Sequence, residues 1–224
     1  MGASLPKPVT CTVLERHTSK SFRVGLAEMN GWRGSMEDAH VVHLRDNEAY
    51  FGILDGHGGG ECSEWCAARL HERLAAEGCP ANDAAAKKLV LEVDQAFLDE
   101  GLGSGSTAAM CIVRPPASRG GKYAIHVINA GDSRVLLSRA DGTIVDGGGT
   151  DSGLTTDHKP NHPSERERKP APLAPTQDAS SPPWLARLLS CVARLLSCFA
   201  PLLSLTTPGF EPRGGKGSNG AEEP

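Results

Sequence analysis

The chain has 224 residues, a formal net charge of −4 and both signs of charge interspersed along its length. No basic stripe is present, so nucleic acid is set aside as a partner. Seven cysteines without a paired spacing, and no recognisable secretory leader, argue against a disulfide framework and for a reducing compartment, cytoplasmic or nuclear.

Taken in chain order, Met1-Gly2 raises N-myristoylation, but Pro6 stands where that modification wants Ser or Thr, so it is not expected. Residues 21–30 and 39–45 have the short length and apolar content of strands, separated by the turn RGSMED. Arg33, Glu37 and Asp38 therefore fall at or near strand ends. The stretch YFGILDGHGGG at 50–60 follows, with Phe51, Ile53 and Leu54 read as a buried strand and the glycines as a sharp turn. Asp55 and His57 are then presented at the strand terminus. Gly56 is slim enough to expose its carbonyl oxygen, and hard cations such as Mg²⁺ take oxygens of this kind beside one or two carboxylates.

Cys62, Cys66, Leu70 and Leu74 recur at intervals of four, predicting a helix over 61–77. With no matching His or Cys pair nearby, Cys62 and Cys66 read as core residues and not zinc ligands. Asn82 or Asp83 can cap a second helix that runs to about Glu100, with Leu89, Val93 and Phe97 as its buried stripe and Gly101 as its stop. Ser106–Val113 reads as a buried strand, 114–121 as a Pro/Gly-rich loop, and Lys122–Asn129 and Ser133–Arg139 as two strands around the turn AGDS. Strands interrupted by two helices and then joined by short turns predict an α+β domain with antiparallel sheets.

Beyond residue 168 the composition changes. Residues 169–183 are rich in Pro and Ser and read as a linker. Residues 184–205, WLARLLSCVARLLSCFAPLLSL, carry a nearly repeated heptapeptide, and 206–224 read as a disordered tail. Arg187 and Arg194 lie seven apart, which suits an interfacial amphipathic helix better than a membrane span. A stretch with no selected structure, marked by the abrupt change of composition, is the preferred reading, and membrane association is the minor alternative for localisation.

Four motifs, GWRGSMEDAH at 31–40, DGHGG at 55–59, NAGDSR at 129–134 and LTTDHKP at 154–160, together with GSGSTAA at 103–109, resemble the type 2C metal-dependent protein phosphatases in order and approximate spacing. The resemblance covers residues 1–168. It implies two packed antiparallel sheets flanked by helices, an αββα sandwich, incomplete here at its C-terminal side. It implies hydrolysis of phosphoserine and phosphothreonine on proteins with two Mn²⁺ or Mg²⁺ ions. Asp55 would bridge the ions, Gly56 would ligate one through its carbonyl, and Glu37 and Asp38 would bind directly or through water. Asp132 would serve an accessory metal position. Arg33 would hold the substrate phosphate, a task suited to a planar guanidinium, and His57 would be the general acid, imidazole being the side chain whose ordinary pKa lies near neutrality. Asp157 and His158 look structural.

The chain departs from the pattern downstream. The family's later DG-x-W-D motif and D-N pair, each of which supplies a carboxylate, do not occur in this sequence, and the one aspartate after Asp157 is Asp178. Fewer anionic oxygens mean weaker metal binding, so impaired turnover is expected. The alternative is a catalytically inactive regulator that binds phosphoproteins through Arg33. Other chemistries fit poorly: GSGST lacks the lysine of a nucleotide phosphate loop, and no G-x-S-x-G elbow is present.

Overall fold

The computed structural model describes residues 4–118 and 120–168. The segments assigned above to 169–183, 184–205 and 206–224 lie outside the described residues. Strands β1 (Val9–Thr18) and β2 (Arg23–Gly31) form an antiparallel hairpin. A second antiparallel sheet runs in the order β3 (Asp38–Leu44), β4 (Ala49–His57), β6 (Ala108–Arg114), β7 (Ala124–Ala130), and the short β5 (Gly105–Ser106) pairs with the end of β4. Helices α1 (Glu61–Glu77) and α2 (Asp83–Asp99) intervene between β4 and β5, and α3 (Pro163–Arg168) closes the described part. The α+β expectation with two antiparallel sheets holds.

Helix α1 occupies the predicted 61–77, because its apolar spacing lays Cys62, Cys66, Leu70 and Leu74 against the sheet and Gly78, at a φ of 80°, stops it. Asn82 caps α2, its side chain accepting a hydrogen bond from the Ala85 amide at 2.9 Å. Ala86, Leu89, Val93 and Phe97 of α2 complete the core with Tyr50, Leu54, Met110 and Ile112 of the sheet. Trp65 tilts onto Phe97 with ring centroids 5.7 Å apart.

Three expectations need correction. Of the residues read as a buried β4, Leu54 is buried, Phe51 is half-buried and Ile53 is 43% exposed, because the strand alternates and only Tyr50, Gly52 and Leu54 meet the helices. The strand expected over 106–113 breaks at Thr107, which separates β5 from β6. No strand forms over 133–139; the chain there makes an isolated bridge from Ser138 to Ile144 and is held by backbone bonds to 143–145 and Leu154 and by the side chains of Arg134 and Thr155. β1 was not anticipated, since Thr12, Glu15, Arg16 and Thr18 break up its apolar residues.

Candidate active site

The site grows out of the register between β3 and β4. Asp38 stands directly opposite Asp55 in that ladder, so the two side chains leave the same face of the sheet at its end. Their carboxyl groups lie within hydrogen-bonding reach. Burial pushes the Asp55 carboxyl above its ordinary range; Asp38 and then Asp132 add to the shift through like charge, and Arg33 opposes it. Asp38, Asp55, Asp132 and Arg33, which are scattered over a hundred residues of sequence, thus act on one point.

The backbone around Asp55 is tied down from both sides. Its amide donates to Thr107 Oγ1 at 3.1 Å, and its carbonyl accepts from the Thr107 amide at 2.8 Å. Thr107 Oγ1 lies 2.7 Å from Ser133 Oγ, next to Asp132. Gly56 donates its amide to the Glu37 carbonyl at 3.0 Å, an approach so close that a Cβ at Gly56 would collide with that carbonyl and reach Ser63 Oγ at 2.8 Å. Ser63, wholly buried at the start of α1, donates to the Glu37 carbonyl and contacts the Gly60 carbonyl at 2.9 Å. Beyond Asp55 the chain turns through Gly58 and Gly59 at φ of 74° and 126°, conformations that other residues rarely adopt.

His57 follows on the same face as Asp55, opposite Gly105; its Nε2 would lie 2.5 Å from a Cβ at that glycine, so the ring rests on the open backbone of β5. Arg33 is exposed in the turn before β3, and among the described residues its guanidinium has no hydrogen-bonded partner. Glu37 lies just before β3; its carboxylate accepts from Ser35 Oγ at 3.1 Å and its carbonyl accepts from the Gly56 amide. Thr107 and Ser63 were missed as supports; GSGST was noted, but nothing in a sequence shows which hydroxyl will face Asp55.

Asp132 is positioned by the segment after β7. The Gly131 amide donates to His158 Nδ1 at 3.1 Å and the Gly131 carbonyl accepts from the His158 amide at 3.0 Å. Asp157 accepts from Arg134 Nε at 2.7 Å and Nη2 at 2.8 Å, with Lys159 Nζ at 3.1 Å, and these cations hold its carboxyl well below the usual range. Asp151, in the left-handed region at a φ of 50°, also pairs with Arg134. Asp157 and His158 are thus structural in this fold.

Asp38 and Asp55 thus stand side by side at one end of the sheet, and Asp132 and Arg33 act on Asp55 through their charges. The comparisons assign the family. The model of the protein phosphatase 2C family matches residues 22–169, more than half of the chain, and the chain belongs to that family. It is 30% identical over 223 residues to the Arabidopsis thaliana protein described as probable protein phosphatase 2C 60, covering 75% of this chain and 58% of the relative. Protein phosphatase 1B of Mus musculus is 33% identical over 198 residues, covering 75% and 46%. The chain thus spans about half the length of the curated relatives it matches. Among solved structures, a phosphatase from Toxoplasma gondii superposes with a TM-score of 0.49 at 24% identity, over 74% of this chain and 58% of that one. Among the described residues no helix is long and apolar enough to cross a membrane.

Proposed function

We propose that this chain is a metal-dependent protein serine/threonine phosphatase whose site is built on Asp38 and Asp55. The observation that carries the reading is their cross-strand register, which sets two carboxylates side by side with Asp132 and Arg33 close enough to act on them. Such like-charge crowding, left unrelieved, is costly, and a divalent cation between the oxygens relieves it. The donor set therefore fits Mn²⁺ or Mg²⁺, held by Asp55, Asp38 and the Gly56 carbonyl, with Asp132 at an accessory position. When bound, the metal supplies Lewis acidity toward a phosphoryl group and acidifies coordinated water.

The remaining chemistry belongs to the chain's own residues. Arg33 binds the phosphate of a phosphoserine or phosphothreonine protein through paired N–H donors, its guanidinium making no hydrogen bond among the described residues. His57, on the face of Asp55, gives a proton to the departing serine or threonine oxygen. Ser63 and the Glu37 carbonyl fix the height of Gly56. Thr107 orients the Asp55 backbone and, through Ser133, the turn that carries Asp132. The Glu37 carboxylate would bind the metal directly or through water, while its carbonyl holds the Gly56 amide.

The second reading, a phosphoprotein-binding regulator without turnover, draws support from the sparse donor set: among the described residues no three His, Cys, Asp or Glu side chains gather as a metal cage. Phosphate release from a phosphothreonine peptide, measured with Mn²⁺ or Mg²⁺ and with Asp55→Asn as control, separates the two. Metal-dependent release lost in Asp55→Asn supports the enzyme. Peptide binding that needs Arg33, without release above the control, gives the regulator instead.

A further inference from the structure

Helix α1 packs against β3, and a histidine lies in the seam between them. His43 stands opposite Tyr50 in the β3–β4 register, on the same face of β3 as Val41, and is 9% exposed. Its Nε2 is buried and has no hydrogen-bond partner among the described residues. From α1, His71 faces it; the two rings meet nearly edge to face, with centroids 6.3 Å apart and 73° between the planes. From the end of β3 and the turn after it, Arg45 and Glu48 face it. Arg45 donates to the Ala75 carbonyl of α1 at 3.0 Å. Glu48 is already engaged: its Oε1 accepts from the Cys79 amide at 2.9 Å, and its Oε2 lies 3.5 Å from Arg114. From β4, the Tyr50 hydroxyl is spent on Met110 Sδ at 2.6 Å. A neutral imidazole is tolerated in this seam. A doubly protonated ring is not, because both its nitrogens donate. Nε2–H is then a buried donor without an acceptor, and the new charge lies beside Arg45 and His71.

We infer that His43 is a proton-sensitive latch between β3 and α1, closed at neutral pH and released as the medium turns mildly acidic. Burial, then Arg45, then His71 weaken its hold on a proton, and Glu48 opposes them. A histidine held low in the fold leaves stability intact above its ordinary value near 6.5 and removes it as pH falls below that value. The helix carries the effect to the other end of the sheet. Ser63 lies two turns before His71, about 12 Å along the axis at 1.5 Å per residue. Its hydroxyl braces the Glu37 carbonyl, which in turn holds the Gly56 amide. Release of α1 therefore slackens the turn that follows Asp55. The latch acts on that turn whatever chemistry the turn supports, so it stands apart from the phosphatase reading.

Amide hydrogen exchange of the full chain, followed by NMR at pH 7.0 and 5.5 and corrected for intrinsic rates, reads the latch. Protection of the α1 amides and of the Gly56 amide should fall at least about threefold at pH 5.5; an ordinary histidine value near 6.5 sets the ceiling at about eightfold. The β6 amides should not change, and the fall should vanish in His43→Leu. Protection of α1 that is independent of pH, an equal loss in β6, or an equal loss in His43→Leu would overturn the latch. A Gly56 amide that stays protected while α1 opens would overturn its link to the turn. Should His43→Leu fail to fold, the parent chain still decides. The His43 ring signals should then titrate below pH 6.5, together with the loss of α1 protection. A ring that titrates at or above 6.5, or α1 amides that open at a different pH, refutes the latch.

Discussion

Replacing Asp157 by Asn tests the electrostatic anchor that holds the segment carrying Asp132. The Asp157 side chain is 5% exposed and accepts two hydrogen bonds from Arg134, at 2.7 and 2.8 Å, with Lys159 at 3.1 Å. Asn keeps the shape but removes the charge and turns an N–H toward a guanidinium. Removing one partner of a buried ion pair costs about 3–5 kcal/mol. Arg134 is 32% exposed and retains Asp151, so water and that carboxylate recover part of the loss; the expected cost at pH 7 is about 2–3 kcal/mol. The sign of the pH dependence follows from a carboxyl held low in the fold. Its stabilisation is complete above the unfolded value near pH 4 and is lost as pH falls toward the folded value, at about 1.4 kcal/mol per pH unit. The gap between parent and Asp157→Asn, read from urea unfolding, should therefore narrow by about 1 kcal/mol from pH 5 to pH 3. A cost below about 0.5 kcal/mol at pH 7, or a gap unchanged at pH 3, would refute the reasoning.

Three further perturbations probe other links. Burial pushes the Asp94 carboxyl up to about 6, so stability is lost as pH rises from about 4 to about 6. Asp94→Asn should be about 1–2 kcal/mol more stable than the parent at pH 7, after allowance for partial exposure, and equal to it near pH 4, by the same urea titration. Gly56→Ala sets a methyl against the Glu37 carbonyl and Ser63; it should cost about 3 kcal/mol or more, lowering the thermal midpoint and abolishing any stabilisation by Mn²⁺. Asn82→Ala removes the α2 cap and should cost about 1 kcal/mol in chemical denaturation, leaving Mn²⁺ binding unchanged.

The sequence by itself determined the parts whose signal is local. The spacing of Cys62, Cys66, Leu70 and Leu74 set the face of α1, Asn82 or Asp83 marked the start of α2, and the glycines after Asp55 marked the turn that exposes it. The resemblance to the phosphatase family led to the expectation that Arg33, Glu37, Asp38, Asp55, Gly56, His57 and Asp132 form one site. What neighbours supply was not legible there. The pairing of Asp38 with Asp55 needs the β3–β4 register, and so does the approach of the Gly56 amide to the Glu37 carbonyl. Over 133–139 the backbone bonds are split between two partners, Leu154 for Val135 and 143–145 for Leu137 and Arg139, so no continuous ladder forms. The part-exposed side of β4 has the same cause: Ile53 and Leu54 are equally apolar, and only the packing of α1 and α2 on one side of the sheet decided which of them would be buried.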